Sequence, residues 1–175
     1  NSQTRALEEI FIRSAVPYKI MGGTKFYERA EIKDALAYLV AVANPADTMA
    51  VRRILNRPRR GIGAVTETTI QGIADRADIT FRDALRDPAA LGLGPKLSGA
   101  IAQLDALLDE ATALMIPPGG EVPPASSVAD GLSLLLNKSG YLDALRASRD
   151  PQDEARVENL EEFVVVAKDF ARTTP

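Results

Sequence analysis

Two glycines flank one apolar residue in the stretch Pro58-Arg59-Arg60-Gly61-Ile62-Gly63-Ala64-Val65-Thr66. A pattern typical of a helix ends near Asn56, and a second helical pattern begins directly after the stretch, over Ala64–Ala77. A glycine, a hydrophobic residue and a glycine between two helices are the signature of a helix-hairpin-helix. The sequence therefore predicts an all-α fold in which Ile62 packs inward and fixes this turn.

The chemistry of such a turn suits a phosphate group. Glycines at 61 and 63 allow positive φ and let a phosphate approach the backbone closely. The next helix directs its unpaired N–H groups and the positive end of its dipole at that phosphate. Arginines add guanidinium forks. We therefore expect sequence-independent contact with the DNA backbone at six residues, which are Arg59, Arg60, Gly61, Ile62, Gly63 and Thr66.

The charge of the chain is unevenly distributed. Residues 1–86 hold 14 basic and 10 acidic residues, a net charge of +4, whereas residues 87–175 hold 7 and 14, a net charge of −7. The basic excess is concentrated at Arg52, Arg53, Arg57, Arg59 and Arg60. These five arginines predict a local positive patch on an acidic molecule, or else a solvated helix face followed by a loop.

A second glycine turn follows 31 residues after the first. Gly92-Leu93-Gly94 aligns with Gly61-Ile62-Gly63, and Lys96 is its only nearby cation. Two hairpins would allow a grip on both strands of a duplex, whereas a glycine C-cap would make the second an ordinary interhelical turn. We favour the ordinary turn here, and we keep Gly92, Gly94 and Lys96 as secondary DNA contacts.

The rest of the chain is also predicted to be mainly helical. Apolar spacing predicts them at residues 3–14, 31–42, 47–55, 80–85, 96–115, 126–137, 141–146 and 151–170, with Asp47 as a cap. The alternating run Tyr18-Lys19-Ile20-Met21 predicts at most one short strand. Residues 116–125 are rich in Pro and Gly and predict a mobile surface loop. Aromatic residues make up only 5%, so the core must be mainly Ala, Leu, Ile and Val.

Composition excludes most catalytic chemistry. The chain has no Cys and no His, so it offers no thiol nucleophile, imidazole base or zinc site of those ligands. Neither G-x-x-x-x-G-K-[ST] nor G-x-G-x-x-G occurs. Acidic pairs lie on predicted helices and read as solvated faces, and a metal site at Asp105, Asp109 and Glu110 lacks support. No stretch approaches about 20 apolar residues. We therefore expect no catalytic residue, metal or cofactor in this chain, no membrane contact, and a cytoplasmic location.

Four segments resemble UvrD/PcrA/Rep-type superfamily 1 DNA helicases. The first is Asn1-Ser2-Gln3-Thr4-Arg5 with Leu7-Glu8-Glu9. The second contains Pro17-Tyr18, Gly22-Gly23, Phe26-Tyr27-Glu28-Arg29, Glu31-Ile32-Lys33-Asp34 and Ala37-Tyr38-Leu39. The third contains Asn44-Pro45, Asp47, Arg53-Ile54-Leu55-Asn56, Pro58 and Arg60-Gly61-Ile62-Gly63. The fourth is Arg156-Val157-Glu158-Asn159-Leu160-Glu161-Glu162.

This resemblance implies a place within a larger enzyme. Residues 1–21 resemble the edge of the second RecA-like motor domain, and residues 22–175 resemble the helical 2B accessory subdomain. Members of the family couple ATP hydrolysis, with magnesium, to 3′-to-5′ translocation on DNA. Their ATP motifs lie elsewhere, so this chain alone should be inactive. Its implied partners are double-stranded DNA or a fork junction and the remaining helicase domains.

The family's duplex contact corresponds to Gly61, Ile62, Gly63 and Thr66. Many relatives carry Arg where this chain has Val40, so DNA contact from that helix is weakened unless Arg29 and Lys33 compensate. A second function is open, in which the chain is a self-association or protein-interaction module that restrains the motor, with repair proteins among the partners. The acidic second half favours this alternative, because it would repel DNA phosphates.

Overall fold

The computed structural model describes residues 24–116, 118–119 and 124–173, and all regular structure in these residues is helical. The α-helices are α1 (Thr24–Tyr27), α2 (Ala30–Ala43), α3 (Thr48–Ile54), α4 (Ala64–Ala77), α5 (Phe81–Leu85), α6 (Pro95–Met115), α7 (Ala125–Lys138), α8 (Tyr141–Ala147) and α9 (Pro151–Thr173). A 3₁₀ helix spans Pro88–Leu91. The prediction of an all-α fold is confirmed for this part of the chain.

Some predictions lie outside the described residues. These are the helix at residues 3–14, the short strand at residues 18–21, the unit at residues 1–21 and most of the loop at residues 117–124. Two short elements were not predicted, namely α1 and the 3₁₀ helix. Each has only four residues, which is too short to display a hydrophobic period.

Side-chain caps set several helix ends. The Asp47 carboxylate accepts the Ala50 N–H at 3.1 Å, which confirms Asp47 as the cap of α3. Thr80 and Asp83 form a reciprocal capping box at the start of α5. At the end of α4, Asp78 adopts the left-handed conformation with φ 54°. These caps fix the helices on both sides of the glycine turns.

Helix α2 lies at the centre of the hydrophobic core. Its Ile32, Tyr38 and Leu39 side chains are at most 1% exposed. The helix contacts α3, α6, α7 and α9, so most of the domain is built around it. Buried residues are predominantly Ala, Leu, Ile and Val, as the low aromatic content predicts. Because α3 leads into the first glycine turn, the core holds one end of that turn directly.

The carboxylates on α6 bond to basic side chains of neighbouring helices. Buried Arg82 pairs with Asp105 and also donates to Asp109 at 3.1 Å, and burial lowers the pKa of this guanidinium. Lys138 on α7 pairs with Glu110 at 2.7 Å. Among the described residues, no cluster of acidic side chains has the arrangement of a metal site. These carboxylates therefore connect α5 and α7 to α6.

The described helices differ from membrane spans in hydropathy and length. None of them combines the length and apolar character that a bilayer crossing requires.

Candidate nucleic-acid interface

The first glycine turn places a helix N-terminus at the surface. Gly61 has φ +81°, Ile62 is 2% exposed, and Gly63 precedes the first residue of α4. The inward packing of Ile62 confirms the sequence prediction. Gly63, Ala64 and Val65 are exposed, and Thr66 is half-buried beside them. The first residues of α4 therefore lie at the surface while Ile62 packs into the core.

The two glycines of this turn differ in conformation. Positive φ was expected at both, but Gly63 has φ −83° and ψ −177°, which is extended backbone that any residue adopts. A Cβ added at Gly63 would meet no atom within 4 Å, so the space in front of α4 is open. A residue with a side chain would be strained at position 61, which explains the glycine there. Position 63 would impose no such strain.

The first turn of α4 has no side-chain cap. An α-helix leaves its first N–H groups without partners in the helix, and Gly63 contributes no side-chain oxygen to them. The partial positive charge of the helix dipole adds to these donors. The start of α4 therefore offers uncapped, exposed donors that suit a phosphate oxygen.

Asn56 organises the loop that leads to this turn. Its Oδ1 atom accepts the Arg60 N–H at 2.6 Å and the Ile62 N–H at 3.1 Å. One amide oxygen thus fixes two backbone groups on either side of Gly61. The sequence places Asn56 at a helix end, but this bridge depends on the fold of the loop and has no sequence signal of its own.

Arg60 is used inside the domain. Its Nη1 atom donates to the carbonyl oxygens of Ile54 at 2.6 Å and Leu55 at 3.1 Å, and its Nη2 atom donates to the Tyr38 hydroxyl at 2.6 Å. The fork therefore faces the end of α3, which differs from the expected place of Arg60 in a phosphate cradle. Its Nη1 atom is occupied by carbonyl groups and its Nη2 atom by a hydroxyl of the protein.

Three further arginines of the patch form ion pairs. Arg52 bonds to Glu67 at 2.6 Å, and the nearly buried carboxylate of Asp34 accepts from Arg53 at 2.9 Å and Arg57 at 3.3 Å. Two carboxylates of the same domain therefore offset part of the charge of the expected five-arginine patch. Arg52, Arg53 and Arg57 form ion pairs that connect neighbouring helices.

Arg59 is the exception in this patch. Its side chain is exposed and forms no ion pair with any residue that the structure describes. Arg59 lines the same groove as Gly63 and Ala64, the residues at the start of α4. Of the predicted side-chain contacts, Arg59 is thus the guanidinium available to an incoming anion.

The groove beside the turn has a volume of about 1060 Å³. Arginines line it together with apolar side chains, which include Met49 and Leu145. Asp34 accepts the hydroxyl of Tyr141 at 2.6 Å on its inner side. Burial, followed by this contact with Asp34, raises the pKa of Tyr141, so its hydroxyl stays protonated and keeps donating. The carboxylate thereby joins α2, α3 and α8 around the groove.

The second turn has a different construction. Gly92 and Gly94 both have positive φ, at +67° and +86°, and both are exposed. Gly92 ends the 3₁₀ helix, Gly94 precedes α6, and Leu93 is only half-buried. Lys96 is exposed nearby. The turns are neighbours, since a Cβ on Gly61 would lie 3.7 Å from Leu97 of α6.

The other basic candidates lie at the start of α2. Arg29 and Lys33 are exposed, and neither pairs with a described carboxylate. Arg53 reaches the carbonyl oxygen of Ala30 at 3.5 Å, so the start of α2 lies beside the groove arginines. Val40 packs against the core, which agrees with a structural use of that part of the helix.

The first turn therefore combines a buried Ile62, an open Gly63 and an uncapped start of α4, with Arg59 on the same groove. Comparison with known families is more specific. The family model described as "UvrD-like helicase C-terminal domain" matches residues 1–92, which is more than half of the chain. The chain belongs to this family.

Individual relatives agree with this assignment. The chain is 42% identical to ATP-dependent DNA helicase UvrD1 of Mycobacterium tuberculosis over 98% of its length and 21% of the relative. It is 38% identical to ATP-dependent DNA helicase PcrA of Staphylococcus epidermidis over 100% of its length and 23% of that relative. The chain thus spans about a fifth of the curated relatives it matches.

Proposed function

We propose that this chain is the 2B accessory subdomain of a 3′-to-5′ ATP-dependent DNA helicase and that it contacts duplex DNA ahead of the fork. The names of the relatives support an ATP-hydrolysing helicase acting on DNA as the whole protein. A cytoplasmic location is part of this proposal. ATP and magnesium would bind in the motor domains, outside this chain. The likeness of the sequence motifs to the family supports the subdomain assignment.

One observation carries the DNA-contacting role, namely the uncapped start of α4 behind an open Gly63. A phosphate oxygen placed there would accept from backbone N–H groups, with Arg59 on the same groove. Such a contact positions the protein on DNA without reading bases. Arg59 and the helix start would neutralise only two or three phosphates, so the site should contribute roughly −2 to −3 to the log–log salt slope.

Duplex binding by the complete protein tests this proposal. Fluorescence anisotropy with a blunt duplex is measured between low and physiological salt for the wild type and Arg59→Ala. We expect the substitution to weaken binding and to reduce the salt slope by about 1, because one phosphate contact is lost. Arg76→Ala is the matched control, since Arg76 is exposed at the far end of α4, about 20 Å away along the helix.

The acidic second half favours a second candidate, a self-association or protein-interaction module that restrains the motor. Its net charge of −7 would repel DNA while leaving a face for a basic partner. Sedimentation of the complete protein separates the two candidates. A dimer that is insensitive to Arg59→Ala, together with unchanged duplex binding, would favour the second candidate over the first.

A further inference from the structure

The loop between α3 and α4 needs side chains to hold it, because residues 55–63 form no regular helix. Asn56 supplies one set of bonds through its Oδ1 atom, which accepts two loop N–H groups at 2.6 and 3.1 Å. An amide oxygen has two lone pairs, so both bonds are satisfied by one atom. Asn56 therefore sets the path of the backbone into Gly61.

Arg60 supplies a second set of bonds. The last carbonyl groups of a helix have no partner within it, and a cation near them is favoured by the helix dipole. The Arg60 guanidinium fills this position at the end of α3, with Ile54, Leu55 and Arg57 oxygens all within 3.3 Å. Its rigid fork reaches carbonyl groups and a hydroxyl at once, which the single nitrogen of a lysine cannot do.

Tyr38 connects these bonds to the core. It is fully buried on α2, accepts from Arg60 Nη2 at 2.6 Å and donates to the Arg57 carbonyl oxygen. Its ring packs among apolar residues of the central helix. The loop is thus tied on one side to α3 and on the other to the core of the domain.

We propose that Arg60 is a positioning residue, which together with Asn56 and Tyr38 holds the Gly61–Gly63 turn so that the start of α4 faces its phosphate, while none of the three touches DNA. This inference rests on the proposed function. It reverses the ordinary reading of an arginine beside a phosphate-binding turn. It also separates Arg60 from Arg59, which differs in having an exposed and unpaired guanidinium.

Lysine substitution distinguishes a positioning arginine from a phosphate ligand. An arginine that binds phosphate keeps most of its effect on affinity when lysine replaces it, because the charge remains. The bonds made by the Arg60 fork have no equivalent in lysine. In the complete protein we expect Arg60→Lys to weaken blunt-duplex binding about tenfold with an unchanged salt slope. Arg59→Lys should bind nearly as tightly as the wild type. Tyr38→Phe, which retains the buried ring, should weaken binding about threefold at an unchanged slope.

Two results would overturn the inference. In the first, Arg60→Lys binds duplex as tightly as the wild type and Arg60→Ala reduces the salt slope by about 1. That pattern would mark a direct phosphate contact. The other is unchanged amide hydrogen exchange at Arg60 and Ile62 in Asn56→Ala, where we expect at least tenfold faster exchange. Exchange is read without DNA, so it tests the loop contacts separately. A wild-type protein that fails to bind duplex would refute the proposed function and, with it, the positioning role.

Discussion

The two glycine turns have the same sequence pattern and different surroundings. In the first, Ile62 is 2% exposed, and Asn56, Arg60 and Tyr38 bond to the backbone before it. In the second, Leu93 is half-buried, and Gly92 and Gly94 both have positive φ. Among the described residues, no side chain caps the start of either α4 or α6.

The helices that follow the turns differ as well. Helix α6 begins with Pro95, which has no N–H, so it offers one donor fewer to an anion than α4 does. Helix α4 begins at Ala64 with its donors intact. A Gly-hydrophobic-Gly pattern therefore defines a turn, but the residues around it decide whether that turn is rigid and rich in donors. The following experiments test this difference.

The largest expected effect concerns the carboxylate at the base of the first turn. Asp34→Ala should lower the free energy of unfolding by about 3 kcal/mol, because it removes the acceptor of two arginines and leaves the Tyr141 hydroxyl without a partner. Asp87→Ala, an exposed acid beside the second turn, should change it by less than about 0.5 kcal/mol. Urea denaturation measures both. Equal losses would mean that the first turn is no more strongly held than the second.

Alanine at the positive-φ glycines should give a smaller loss of stability. Gly61→Ala and Gly92→Ala should each cost about 1–2 kcal/mol, because an L-residue is strained at φ +81° and +67°. A Cβ at Gly61 meets only an ordinary contact, and one at Gly92 meets nothing, so the costs should be similar. Only Gly61→Ala should also weaken duplex binding. Weakened binding by Gly92→Ala would make the second turn a DNA contact too.

A still smaller effect is expected from alkaline pH. Burial raises the pKa of Tyr38 above its ordinary value of 10.0, so the folded protein keeps a proton that the unfolded chain releases. This contribution to stability is complete below pH 10 and is lost as pH rises above it. Between pH 9 and pH 10.5, the ionisation of this tyrosine in the unfolded chain should lower the free energy of unfolding by at most about 0.8 kcal/mol. The free energy of unfolding of Tyr38→Phe should therefore fall less than that of the wild type over this pH range. Identical pH profiles of the two proteins would contradict the prediction.

Local features were the part of this structure that sequence could predict. The helix patterns, the Asp47 cap and the burial of Ile62 depend on neighbouring residues, and all three are present. The role of Arg60 could not be predicted, because its partner Tyr38 lies 22 residues away on another helix. The pairing of Asp34 with groove arginines is equally non-local. The sequence pattern located the turn. Tertiary contacts are needed to distinguish the exposed Arg59 from the arginines that bond within the domain.

In the proposed function, glycine at 63 leaves room for a phosphate at the start of α4. Gly63→Leu places a side chain in open space without backbone strain, so it should change the free energy of unfolding by less than about 1 kcal/mol. Gly99→Leu is the matched control, since Gly99 is equally exposed and has nothing near its Cβ position.

Duplex affinity of these two variants in the complete protein is the most direct measurement. We predict at least a tenfold loss for Gly63→Leu and none for Gly99→Leu, with unwinding reduced more than single-strand-stimulated ATP hydrolysis. A Gly63→Leu protein that binds and unwinds duplex as well as the Gly99→Leu protein would contradict this role of Gly63.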